Sequence, residues 1–147
     1  MENRTGIQEI LEEKGIFIST TVGVSMFPML RNRRDTIVVE PVKGRLKKYD
    51  VPLYKRGDKY VLHRIVKVTA EGYVICGDNC INQEFSVTDE DIIGVLTGFY
   101  RDEKKVNMNG LLYKLYCRVW VVSYPVRIPA KKIWMKLKRM VKIWFLK

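Results

Sequence analysis

A mainly β fold, a folded sheet or barrel with a short N-terminal helix and amphipathic C-terminal helices, follows from three features of the sequence. Between residues 16 and 100, apolar residues fall in short β-branched and aromatic runs separated by Gly, Asp and Pro turns. Ahead of them lies one short stretch at helical spacing. Past Asn109-Gly110 the pattern becomes helical and basic. Runs of short strands with few helices between them favour a barrel or folded sheet. No internal repeat and no low-complexity tract interrupts this order.

Ile7, Ile10 and Leu11 share one helical face, with Thr5 as a cap and Gly15 as a stop, which predicts a helix over 5–14. The run 16–22 reads as a strand leading into a serine turn. Further strands are predicted at 36–40, 51–55, 60–68, 73–76 and 92–100. Gly57-Asp58 reads as the turn of a hairpin whose second strand carries His63 at its middle. In the tail, Leu111, Leu112, Leu115, Tyr116, Val119 and Trp120 share a helical face; Pro125 and Pro129 are expected to break the chain. The last segment repeats Ile133, Trp134, Leu137, Met140, Val141, Trp144 and Phe145 at helical spacing. Lys131, Lys132, Lys138, Arg139 and Lys142 lie largely on the other side.

A chain of 147 residues supports one domain with a real core. The net charge of +11 is unevenly distributed: all 16 acidic residues precede Leu111, and ten of the 27 Lys and Arg follow Gly110. Residues 1–110 therefore form an electrostatically ordinary β domain, and residues 111–147 a basic tail. Cys76, Cys80 and Cys117 form no disulfide framework, which points to a reducing compartment. Cys76 and Cys80 lack the second Cys/His pair of a zinc site, so they read as packing residues; no metal or cofactor is expected. The first 15 residues hold Glu2, Glu9, Glu12 and Glu13 and no apolar stretch of a signal peptide. No stretch reaches 18 uninterrupted apolar residues, so no spanning helix is expected.

Two segments carry the chemistry: Gly-Val-Ser-Met-Phe-Pro at 23–28, and His63-Arg64 in an apolar run. His63 is the only histidine. Serine needs a neighbouring base to act as a nucleophile at neutral pH, and imidazole has a suitable pKa. Gly23 permits a sharp turn before Ser25, and Pro28 argues against a helix through Phe27. An aspartate after glycine, as at Asp78, is also a common turn former.

Gly-x-Ser-Met-x-Pro at 23–28, His-Arg-Ile-Val at 63–66 and Gly-Asp-Asn at 77–79 resemble the boxes of signal peptidase I. The histidine brings the chain closer to the endoplasmic-reticulum and archaeal branch than to the bacterial Ser-Lys branch. The resemblance covers roughly residues 5–100. It implies a signal-peptidase-like fold and a serine endopeptidase that cleaves exported precursors after small residues. Ser25 would be the nucleophile and His63 the general base. Gly23, Met26 and Pro28 of the first box would contact substrate. An acidic residue after the third box would orient the histidine. The matching position holds Glu84 where Asp is expected, so the orienting role is divided between Asp78 and Glu84. The oxyanion hole would include the Ser25 N–H. Gly23 stands where some bacterial relatives add a serine hydroxyl.

Most signal peptidases carry a spanning anchor just before the serine box; here none is expected. The tail offers a different attachment. Tryptophans on an apolar face and only cations on the polar face suit a helix lying in the plane of an anionic membrane surface. The expected location is cytoplasmic and peripheral on the membrane, with a peptide or precursor-protein substrate. Nucleic acid is the weaker partner, because the Trp/Leu/Phe face needs an apolar one. Two alternatives remain: an inactive membrane or partner adaptor of the same fold, and a relative of the self-cleaving repressor-type peptidases, which use Ser-Lys.

Overall fold

The computed structural model describes residues 6–146; Thr5, the expected helix cap, and Glu2 lie outside them. The fold is mainly β. Helix α1 (Gly6–Lys14) precedes β1 (Phe17–Thr20), β2 (Thr36–Glu40), β3 (Pro52–Arg56), β4 (Lys59–Leu62), β5 (Arg64–Val68), β6 (Tyr73–Cys76) and β7 (Glu84–Val87). A single 3-10 turn (Asp89–Asp91) leads into β8 (Ile92–Arg101) and β9 (Lys104–Val106), and α2 (Leu111–Val122) and α3 (Tyr124–Phe145) follow. One six-stranded sheet runs β1-β2-β8-β3-β4, with β9 also on β8; β5-β6-β7 form a second, three-stranded sheet. All pairings are antiparallel.

The larger sheet curls around its long central strand. Register shifts at Val38/Val39 and Leu53/Tyr54, on the two strands flanking β8, increase the local twist. Gly94 allows the tight approach there: a Cβ would stand 2.6 Å from Val39 Cγ1 and 3.0 Å from the Glu40 carbonyl. The core beneath the curl joins Leu11 of α1, Val39, Leu53, Leu96 and Phe99 with Met26, Met29 and Leu30 of the 23–30 loop. Burial of those three loop residues fixes the segment that carries Ser25.

The predicted strand over 60–68 is two strands in two sheets. The chain leaves the ladder at His63, which therefore ends the hairpin instead of lying midway along its second strand. An uninterrupted strand would turn His63 and Arg64 to opposite faces. The break buries both, with His63 at 5% and Arg64 at 0% exposure. Strands β7 and β9, too polar to read from hydropathy, were not anticipated.

The tail is interrupted at Ser123, beside Pro125, whereas Pro129 does not break it. Pro125 occupies the first turn of α3, where its missing N–H interrupts no helical bond, and Pro129 is accommodated inside the helix. The helical face expected over 111–120 is only partly buried. Tyr113, Tyr116, Cys117 and Trp120 turn toward the β core, whereas Leu111, Leu112, Leu115 and Val119 are exposed. From residue 132 to 146 every residue of the tail is exposed, Trp134, Leu137 and Trp144 included.

Candidate active site

The serine loop is anchored at both ends. Gly23 takes φ +100, a conformation costly for other residues, and donates its N–H to Asn32 Oδ1 at 2.8 Å. The Thr21 hydroxyl donates to the carbonyls of Arg31 (2.8 Å) and Asp35 (3.1 Å). Buried Asp35 accepts from the Arg31 side chain at 2.8 Å. Between these ties the chain turns through Ser25 and a cis Phe27–Pro28 bond without forming a helix. Ser25 is half-buried.

Ser25 and His63 line one cleft of about 510 Å³, together with Gly23, Met26, Arg56 and Cys80. The imidazole is held on its Nδ1 side. Nδ1 lies 3.3 Å from the Tyr54 hydroxyl, and that hydroxyl donates to Glu84 Oε1 at 2.8 Å. Arg56 donates to the same oxygen at 2.7 Å. Since the phenol proton goes to Glu84, the phenol oxygen is free to accept Nδ1–H. That tautomer leaves a lone pair on Nε2. Nε2 faces Cys80 Sγ at 4.0 Å. It also faces Gly77, where a Cβ would stand 3.0 Å from Nε2 and 2.7 Å from the Ser25 carbonyl. Glycine at 77 thus lets the serine loop and the imidazole approach. The hydrogen bonds of the imidazole among the described residues run to Tyr54 and Cys80, not to Ser25. Without substrate, nucleophile–base bonds are often long.

Burial pushes the His63 imidazole below its ordinary pKa of 6.5, with the Glu84 carboxylate opposing in part. Neutral imidazole, the form able to accept a proton, therefore prevails at pH 7. Burial first, and then the bond to Glu84, push the Tyr54 phenol upward, so it stays protonated and keeps donating to Glu84.

The two expected orienters occupy different places. Glu84 opens β7, and its Oε1 lies 3.7 Å from His63 Nδ1 with Tyr54 bridging the two. Asp78 belongs to a sealed ion pair. Arg64 Nε donates to Oδ1 at 2.8 Å and Arg64 NH2 to Oδ2 at 2.9 Å, with both side chains 1% exposed. The Tyr116 hydroxyl adds a third bond to this carboxylate at 2.8 Å. Of the residues assigned to substrate contact, Gly23 and Met26 line the cleft. Pro28 does not: it lines a separate groove with Phe99 and Tyr113, because the chain has turned away by that point.

Tyr54 and Arg56 were missed in the sequence. A signal was available: pairing Arg56 with Lys59 across the Gly57-Asp58 turn sets Tyr54 opposite Val61 and beside His63. All three cysteines are free; Cys76 and Cys117 are buried packing residues, whereas Cys80 reaches the cleft. Among the described residues, no three His, Cys, Asp or Glu side chains converge to hold a metal ion. No described helix is long and apolar enough to cross a membrane. Comparison of the chain with protein-family models, curated proteins and solved structures finds no match.

Proposed function

We propose that this protein is a serine endopeptidase resembling signal peptidase I, with Ser25 as nucleophile and His63 as general base. One observation carries the reading: the single histidine is buried, tied at Nδ1 to Tyr54, whose hydroxyl donates to Glu84, and lines the same cleft as Ser25. His63 Nε2 takes the Ser25 proton as Oγ attacks the scissile carbonyl. The Ser25 N–H, from the backbone, stabilises the oxyanion. The imidazolium then protonates the leaving amine, and water, activated by the same base, hydrolyses the acyl ester. Glu84 stabilises the imidazolium through Tyr54.

The substrate is an extended peptide of leader or signal type. β1 and β4 are the end strands of the larger sheet, and Phe17, Ser19, Tyr60 and Leu62 from them line the cleft. End strands offer backbone donors and acceptors to an added strand. The likeness to signal peptidase I implies small residues before the cleaved bond. The exposed Trp134, Leu137, Met140 and Trp144, with cations and no acidic residue around them, support a peripheral seat on an anionic cytoplasmic membrane surface. Lys59 also lines the cleft, which keeps the Ser-Lys mechanism of the repressor-type peptidases as the second reading.

The test is labelling of the full-length protein with a fluorophosphonate, which reacts with activated serines. Wild type should be labelled and Ser25→Ala should not. His63→Ala should label at a rate lower by at least about 1,000-fold, since nucleophile and base act as one unit. Near-normal labelling of His63→Ala would turn attention to Lys59. Undiminished labelling of Ser25→Ala would end the assignment.

A further inference from the structure

The turn at 77–79 has two faces. Inward, Asn79 donates its N–H to the Ser25 carbonyl at 2.8 Å and its Nδ2 to the Val24 carbonyl at 3.1 Å. Outward, side chains of the tail take the turn's carbonyls. Trp120 Nε1 donates to the Asp78 carbonyl at 2.9 Å, and Arg127 NH1 reaches the same oxygen at 3.4 Å. The Tyr124 hydroxyl reaches the Cys80 carbonyl at 3.3 Å. The Lys131 ammonium donates to the Asn79 carbonyl and, at 2.6 Å, to Asn79 Oδ1. A lysine ammonium only donates. Its hold on Oδ1 therefore fixes the Asn79 side-chain amide with its NH₂ toward Val24. Arg127 is itself held, stacked 3.9 Å over the Trp120 ring.

We propose that Lys131, with Arg127 behind it, is a positioning residue for the nucleophile. These cations act through Asn79 and Asp78 to hold the backbone of Val24 and Ser25 against His63, so the basic tail completes the active site. The inference deepens the peptidase reading and rests on Ser25 being the nucleophile. It also divides α3 by function: residues up to Lys131 serve the site, and the exposed residues after it do not.

Full-length Lys131→Met, Arg127→Met and Lys131→Arg are compared with wild type in three measurements: fluorophosphonate labelling rate, thermal midpoint, and hydrogen exchange at the Asn79 amide. Lys131→Met removes both charge-assisted hydrogen bonds to Asn79 and should slow labelling at least about tenfold and speed Asn79 exchange. Its midpoint should move by only a few degrees. Arg127→Met should do the same more weakly, and Lys131→Arg should recover most of the wild-type rate and protection. If wild type is labelled, and Lys131→Met matches it in both rate and Asn79 exchange, the proposal is overturned. If wild type is not labelled, the peptidase reading falls, and unchanged exchange in Lys131→Met would remove the brace as well.

Discussion

Asp78→Asn and Glu84→Gln should fail in different ways, because one carboxylate is sealed against Arg64 and the other faces the His63 imidazole. In Asp78→Asn the buried Arg64 guanidinium loses its counter-charge. The new NH₂ also meets donors whichever way the amide turns: Arg64 Nε on one side, Arg64 NH2 and the Tyr116 hydroxyl on the other. Breaking one partner of a buried pair costs about 3–5 kcal/mol. At about 3 °C per kcal/mol for a chain of this size, the thermal midpoint should fall by roughly 10–15 °C. Glu84 is a quarter exposed, and a glutamine oxygen still accepts from Tyr54 and Arg56, so its midpoint should stay within a few degrees. What Glu84→Gln removes is the charge facing the imidazolium. At 3.7 Å such a pair contributes up to about 4 kcal/mol at an effective dielectric of about 20, and Arg56 on the same oxygen offsets part of it. A labelling rate about 10- to 100-fold below wild type follows. Thermal unfolding and fluorophosphonate labelling of both variants decide the matter. Asp78→Asn with a normal midpoint and lost labelling, beside a fully reactive Glu84→Gln, would reverse the assignment.

Two further outcomes follow from the structure. Burial lowers the His63 pKa, so labelling should rise with pH through a midpoint below 6.5, and a midpoint above it would count against the buried base. The unfolded chain then protonates first as pH falls. The stability that neutral His63 contributes is complete above about pH 6.5 and is lost as pH drops through the folded value, which makes His63→Gln less pH-sensitive than wild type in chemical unfolding. Deleting residues 132–147 removes six cations and both tail tryptophans that follow Lys131 but keeps Lys131 itself. Flotation with anionic vesicles, weakening as salt rises, should be lost while labelling persists, and equal flotation of the two forms would exclude residues 132–147 as the membrane contact.

Much of the fold was legible because its strands obey simple rules. Thr36–Glu40 and Tyr73–Cys76 match the predicted strands residue for residue, being short β-branched or aromatic runs bounded by turn formers. The Gly57-Asp58 hairpin was equally direct. Where prediction failed, the cause was tertiary. Glu84–Val87 is a strand because β6 offers it an edge, and three of its four residues are not buried. The break at His63 has no local mark, since nothing in Val-Leu-His-Arg-Ile-Val says that consecutive side chains are both wanted inside.

Two residues of the cleft, Ser25 and His63, were legible in the sequence and their supports were not, and the tail shows why. Helical periodicity ranks residues by apolarity, so it grouped Leu111, Leu112, Leu115 and Val119, which stay exposed, with Tyr116 and Trp120, which dock. The face that docks is made of Tyr113, whose hydroxyl accepts from Arg64, and of Tyr116, Trp120 and Tyr124, whose O–H and N–H groups need acceptors once buried. The acceptors exist only after folding: the Asp78 carboxylate and the outward carbonyls of a turn more than thirty residues away in sequence. Once this aromatic side is committed to the turn, the aliphatic side of α2 and the whole surface of α3 beyond Lys131 stay uncovered. The apolar-face rule therefore merged the aliphatic side that the protein leaves uncovered with two residues of the side that docks. For the same reason, cutting the tail at residue 130 would be a poor test of membrane attachment. It would remove Lys131 from Asn79 along with the exposed helix, and a loss of labelling would then report on the serine loop and not on the membrane.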